Sequence, residues 1–77
     1  MNHTHKILEI TKEYSYWPPK TAYKIKMDCP VQPDKIVVCG ERLKVGQVFD
    51  PHFSNKDVIA RFPPTELGWW LALQIVR

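Results

Sequence analysis

Two stretches in the first third of the chain alternate apolar and polar residues with a period of two. In KILEITKEYSY (residues 6–16) the even positions from Leu8 to Tyr16 are apolar or aromatic apart from Lys12, whereas in TAYKIKMD (residues 21–28) the large apolar residues stand at odd positions. Successive side chains of a β-strand point to opposite faces of its sheet, so both stretches predict half-buried strands. We expect them to pair as an antiparallel hairpin.

We predict the register of this hairpin by pairing aromatic residues on one face and opposite charges on the other. With Tyr14 opposite Tyr23, the aromatic side chains pair on the core face, and Glu13 then lies opposite Lys24 on the solvent face. Cross-strand neighbours of opposite charge stabilise a sheet. We therefore expect a solvated outer face on which much of the positive charge is offset.

The tip of the hairpin, WPPK, contains two adjacent prolines. Proline has no backbone N–H to donate to a ladder and restricts the residue before it, so these residues are suited to ending one strand and beginning a turn. This explanation leaves Trp17 and Lys20 without a structural role. Both are candidate contacts for a partner.

Further elements follow the hairpin. IVVC predicts a short strand buried on both faces, and ERLKVGQVFD predicts another strand that bends at Gly46, where the alternation changes phase. The capping pattern SNKD then predicts a short helix from about Asn55 to Arg61. Pro63 and Pro64 end it.

The last segment, TELGWWLALQIVR, is compatible with a helix or a strand. We expect a strand, because Gly68 is unfavourable inside a helix. On either reading Trp69 lies on the main apolar face, while Trp70 faces away from the core beside Gln74. There are two alternatives for Trp70: either the short helix covers it, or Trp70 and Gln74 contact a partner. The sequence does not decide between them.

The fold class that follows is α+β: a small antiparallel β-sheet or partly open barrel with an N-terminal hairpin, two further strands, one short helix and a C-terminal strand. A chain of 77 residues with 44% hydrophobic residues is expected to form one domain, residues 1–77. A core of this size supplies only about 3–5 kcal/mol of stability.

The charge of the chain is modestly positive, at +3. Five lysines against two glutamates give residues 1–27 a local excess of three positive charges. A basic hairpin with interleaved aromatic residues is one form that a small nucleic-acid-binding protein takes. In that alternative the contacts are Lys12, Tyr16, Lys20, Lys24 and Lys26, with Trp17 as a second stacking group.

No pattern in the sequence predicts catalysis, a cofactor or a metal site. Cys29 and Cys39 lack ligand-like spacing, the three histidines lie in a terminus and a loop, and three glycines are too few for a phosphate-binding loop. The start lacks the pattern of a secretory signal, and the longest apolar run is too short to cross a bilayer. We expect a cytoplasmic protein without membrane contact.

Two classes of function remain. We favour a small non-enzymatic protein-binding module, such as an accessory subunit or inhibitor of a larger protein machine of the kind that mobile elements encode. Its candidate contacts are Trp70, Gln74, Trp17 and Lys20. The alternative is a small β-barrel that binds nucleic acid through the N-terminal hairpin.

Overall fold

The computed structural model describes residues 5–49 and 58–77. The elements in chain order are β1 (His5–Ser15), β2 (Thr21–Met27), β3 (Asp34–Cys39), β4 (Val48–Phe49), β5 (Val58–Phe62) and α1 (Glu66–Val76). All neighbouring strands are antiparallel in the order β4-β1-β2-β3-β5, and β4 has only two residues. The predicted α+β class is confirmed, with an open sheet and one C-terminal helix.

The hairpin forms where the sequence predicts it, but its register differs by one residue. Tyr14 lies opposite Ala22, Glu13 opposite Tyr23, and a lysine of β1 opposite Lys24. The predicted facing pairs Tyr14–Tyr23 and Glu13–Lys24 are therefore wrong. Because side chains alternate between faces, this slip changes which charges become neighbours.

The slip begins at the tip, where Ser15 lies opposite Thr21, and two irregularities in β1 shift the pairing further. They lie between Ile7 and Glu9 and between Ile10 and Lys12, where the pairing with β2 shifts by a residue. A bulge places two residues opposite one, so the alternation is interrupted. Ile7 is consequently fully buried and Ile10 packs against the same cluster, while Leu8 is half-exposed.

Each face of the sheet carries its own hydrophobic cluster. The cluster beneath α1 contains Ala22, Ile36, Val38, Ala72 and Val76, with Tyr14, Ala60, Phe62 and Trp69 packed against it. The cluster on the opposite face contains Ile7, Tyr23, Ile25, Met27, Val37, Cys39 and Leu43. β3 contributes to both clusters, as predicted for a strand buried on both faces.

The segment ERLKVGQVFD is mostly a loop, so the strand predicted over it is wrong except at β4. Leu43 is buried against the sheet face opposite α1, and its backbone N–H donates to the Tyr23 hydroxyl at 3.2 Å. Gly46 has a φ of 89°, in the left-handed region that favours glycine, and its N–H donates to the carbonyl of Ile7 at 2.7 Å. The loop thus folds over the second cluster.

The helix predicted over Asn55–Arg61 is wrong where the structure describes it, because Val58–Phe62 is strand β5; residues 55–57 lie outside the described residues. Val58, Ala60 and Phe62 are half-buried and the residues between them are exposed, which is the alternation of a strand. β5 pairs with β3, whose edge needs a hydrogen-bonding partner.

The predicted C-terminal strand is also wrong: Glu66–Val76 is α-helix. Its N-cap is Thr65, whose hydroxyl accepts a hydrogen bond from the N–H of Gly68 at 3.0 Å. A Cβ at Gly68 would overlap the carbonyl oxygen of Pro63, so glycine allows the helix to begin directly against the end of β5. Gly68, the residue that favoured a strand in the sequence, instead allows close packing of α1 against Pro63.

Candidate interaction surfaces

α1 exposes apolar side chains along one side, and we call these four residues the outer stripe. Leu67 is 69% exposed, Trp70 60%, Leu71 44% and Ile75 38%. They occur at positions i, i+3, i+4 and i+8, which form one face of a helix. Gln74 is exposed at the matching i+7 position. From Leu67 to Val76 the helix has no charged residue.

The other side of α1 packs on the sheet. Ala72 and Val76 are fully buried, and Trp69 is half-buried against the same cluster. The prediction that Trp70 faces away from the core is thus confirmed. The alternative in which a short helix covers Trp70 is wrong, since Trp70 is mostly exposed and Val58–Phe62 is a strand. α1 is therefore apolar on both sides, and the described residues cover only one of them.

The exposed area of the outer stripe is large for so small a protein. From its exposed fractions, Trp70 contributes roughly 150 Å² and the three aliphatic residues together about 250 Å². Contiguous apolar patches of a few hundred Å² on monomeric proteins are often functional.

Within the described ranges no helix is long and apolar enough to span a membrane.

The hairpin tip presents a second group of exposed residues. β1 ends before Tyr16 and β2 begins after Lys20, as the two prolines predict. Tyr16 and Trp17 are both exposed, and their rings meet edge to face with centroids 5.4 Å apart. The predicted contacts Trp17 and Lys20 therefore belong to a different element from Trp70 and Gln74.

The α1 side of the hairpin carries three cations that we call the cationic row: Lys12, Lys24 and Arg77. Lys12 and Lys24 are directly opposite each other in β1 and β2. The Nζ atom of Lys12 lies 5.5 Å from the centre of the Trp69 ring, and the guanidinium carbon of Arg77 lies 5.9 Å from that of Tyr14.

The charges of the cationic row are not offset as the sequence predicts. Glu13 pairs with Tyr23 and so lies on the other face. Among the described residues, none of the three cations is within ion-pair distance of a carboxylate. Lys26, in contrast, has Glu9 opposite it in β1 and Asp34 opposite it in β3.

Of the predicted nucleic-acid contacts, the structure thus brings Lys12 and Lys24 together and gives Lys26 acidic neighbours. Tyr16 and Lys20 lie at the tip. Arg77 was missed by sequence reasoning, because its position beside Tyr14 depends on the last segment being a helix.

The pKa values of Tyr23 and Cys29 are shifted. Burial raises the pKa of the Tyr23 hydroxyl, and the hydrogen bond from the backbone of Leu43 partly opposes this effect. Hydrogen bonds from the backbone N–H groups of Gln32 and Val31 lower the pKa of the Cys29 thiol. Both cysteines are buried, and they do not form a disulfide.

No three histidine, cysteine or acidic side chains in the described part of the chain are grouped so that they would hold a metal ion. His5 Nδ1 lies 3.3 Å from a carboxylate oxygen of Asp28, which also accepts the backbone N–H of Lys6. These contacts join the start of β1 to the end of β2. His3 and His52 lie outside the described residues.

Comparisons with protein-family models, with characterised proteins and with solved structures find no match to this chain.

Proposed function

We propose that this chain is a non-enzymatic protein-binding module that docks the outer stripe of α1 into an apolar groove of a different, larger protein, which it serves as an accessory subunit or inhibits. The observation that supports this proposal is the alignment of Leu67, Trp70, Leu71 and Ile75 on one exposed side of an uncharged helix. Helices that bind in grooves use anchors at this spacing.

Trp70 is the centre of the proposed contact. It lies in the middle of the outer stripe, with Leu67 one turn before it and Gln74 one turn after it. Tryptophan is among the residues most enriched at binding hot spots, because it buries a large apolar area and can donate one hydrogen bond. Gln74 supplies a polar contact within the apolar surface.

A second copy of the chain fits the outer stripe less well than a different protein does. Two stripes meeting face to face would bury on the order of 800 Å², less than the roughly 1,200–2,000 Å² of stable interfaces. Each copy also carries a net charge of +3. A concave groove on another protein contacts the flanks of α1 as well, and so buries more of each side chain.

The test is affinity capture from extracts of the native host, with nuclease added, followed by identification and purification of the captured protein. Titration of that protein should show that Trp70→Ala weakens binding by at least about 30-fold, which corresponds to about 2 kcal/mol. Trp17→Ala measures whether the hairpin tip contributes. Val31→Ala, which removes an exposed apolar side chain far from α1 in sequence, is the matched control.

The proposal is wrong if folded Trp70→Ala retains the partner at wild-type affinity. It is also wrong if nuclease releases every captured protein, because the contact is then made by nucleic acid.

A further inference from the structure

We propose that the cationic row, Lys12, Lys24 and Arg77, is a binding site for the phosphates of a single-stranded nucleic acid. The site is separate from the outer stripe, so it adds a second binding activity to the proposed function and does not depend on it.

The register places two like charges side by side. Residues directly opposite each other in an antiparallel pair have Cα atoms roughly 4.5–5.5 Å apart, and like charges at such positions destabilise the pair. Lys12 and Lys24 occupy such a position, and no described carboxylate is within ion-pair distance of either. A bound phosphate would offset this repulsion by contacting both ammonium groups.

Aromatic rings hold two of the cations in place. Lys12 lies over the ring of Trp69, and Arg77 lies over the ring of Tyr14. Such contacts attract the cation to the ring face and restrict a long, flexible side chain. Less conformational freedom is then lost when a phosphate binds, which favours binding.

The surroundings of the cationic row suit a single strand. α1 packs on β2, β3 and β5 and also contacts β1, so the cationic row lies beside the helix. Because a helix with its side chains is about 10 Å thick, the surface rises from the sheet to α1, and a flexible single strand adapts to this step more easily than a rigid duplex does. Tyr16, two residues or about 7 Å along the chain from Tyr14, exposes a ring on which a base can stack.

The number of cations sets the expected salt dependence. Three phosphate contacts to a single strand predict that log K falls with log salt concentration with a slope of about −2. Loss of the two lysine contacts should reduce the slope to about −0.7. This change in slope distinguishes loss of phosphate contacts from a general loss of structure.

The experiment is a fluorescence anisotropy titration of labelled 15-nucleotide oligo-dT and oligo-U at salt concentrations from 50 to 200 mM. We expect the wild-type chain to bind, and the double variant Lys12→Gln/Lys24→Gln to bind at least tenfold more weakly at the lowest salt with the smaller slope. The matched control is Arg42→Gln/Lys44→Gln. It removes the same charge from the loop on the opposite face and should bind nearly as the wild type does.

Three results would overturn the proposal. The first is no oligonucleotide binding by the wild-type chain at 50 mM salt. The second is an equal loss of affinity in the Arg42/Lys44 control, which would indicate non-specific attraction by net charge. The third is that the wild-type chain binds a duplex, or a polyglutamate peptide with the same charge as the oligonucleotide, as tightly as it binds the single strand or more tightly. That result would identify another class of anion as the ligand.

Two additional variants keep the outcome interpretable. Lys24→Gln alone leaves both ring contacts intact, and should still lower affinity and slope, so a folding defect in the double variant does not hide the effect. Trp70→Ala should bind the oligonucleotides as tightly as the wild type does. If the wild-type chain captures the partner through Trp70 but binds no oligonucleotide, only this proposal is contradicted. If it binds the oligonucleotides as expected but Trp70→Ala retains the partner at wild-type affinity, only the docking of α1 is contradicted.

Discussion

Replacing Gly68 with alanine should destabilise the protein, although helix propensity alone predicts the opposite. In a helix interior alanine is more favourable than glycine by about 0.8–1 kcal/mol. At position 68, however, the added Cβ would overlap the backbone carbonyl oxygen of Pro63. A backbone atom beside two consecutive prolines cannot rotate away as a flexible side chain can.

The overlap can be relieved only by moving α1 away from the end of β5. That movement would disturb Ala72 and Val76, which are fully buried against the sheet. Overpacking of this kind costs about 1–3 kcal/mol, and sometimes more. Because the obstacle at Gly68 is a backbone atom, the upper end of this range, about 3 kcal/mol, applies. After subtraction of the gain in helix propensity, we expect Gly68→Ala to lower the free energy of unfolding by about 2 kcal/mol. This is a large part of the stability of so small a domain.

Urea denaturation followed by circular dichroism at equal protein concentrations measures this effect. The exposed position Gln74 on the same helix provides the reference, because Gln74→Ala and Gln74→Gly report the propensity difference alone. We expect alanine to be more stable than glycine at position 74 and less stable at position 68. A Gly68→Ala variant more stable than the wild type would refute the close approach to Pro63.

Two further predictions concern stability. Trp69→Ala should cost about 2–4 kcal/mol because Trp69 packs against the cluster beneath α1, whereas Trp70→Ala should cost less than about 1 kcal/mol; equal losses in urea denaturation would contradict this assignment. Tyr23→Phe leaves the Leu43 N–H without its hydroxyl acceptor and should cost about 1–2 kcal/mol at neutral pH. Because the pKa of Tyr23 is raised in the folded state, the fold favours the neutral phenol, and wild-type stability should fall as the pH rises above about 10. Denaturation curves between pH 9 and 11 should show a smaller fall for Tyr23→Phe; an identical fall would argue against burial as the cause.

The candidate surfaces were only partly accessible from the sequence. Trp70 was identified because adjacent residues of any regular element point in different directions, an argument that holds for a helix and a strand alike. The rest of the outer stripe was not, since Leu71 belongs to the core face of a strand and to the exposed face of the observed helix. The cationic row depends on a one-residue shift in pairing that charge matching alone predicted incorrectly.

The sequence by itself determined the local features of the fold. The alternation in the first 28 residues specified a hairpin, the two prolines specified its tip, and the apolar run IVVC specified a strand buried on both faces. These features depend on neighbouring residues and on the backbone restrictions of proline, so short patterns report them.

Only the tertiary structure decided the register of β1, the strand at Val58–Phe62 and the helix at the C-terminus. Each depends on contacts beyond the segment itself: β1 pairs with β2 through two irregularities, β5 pairs with the edge of β3, and α1 buries Ala72 and Val76 in the cluster that contains Ile36. Propensity differences of less than about 1 kcal/mol per residue are too small to outweigh such contacts, so the folded core selects among conformations that the local sequence leaves close in energy.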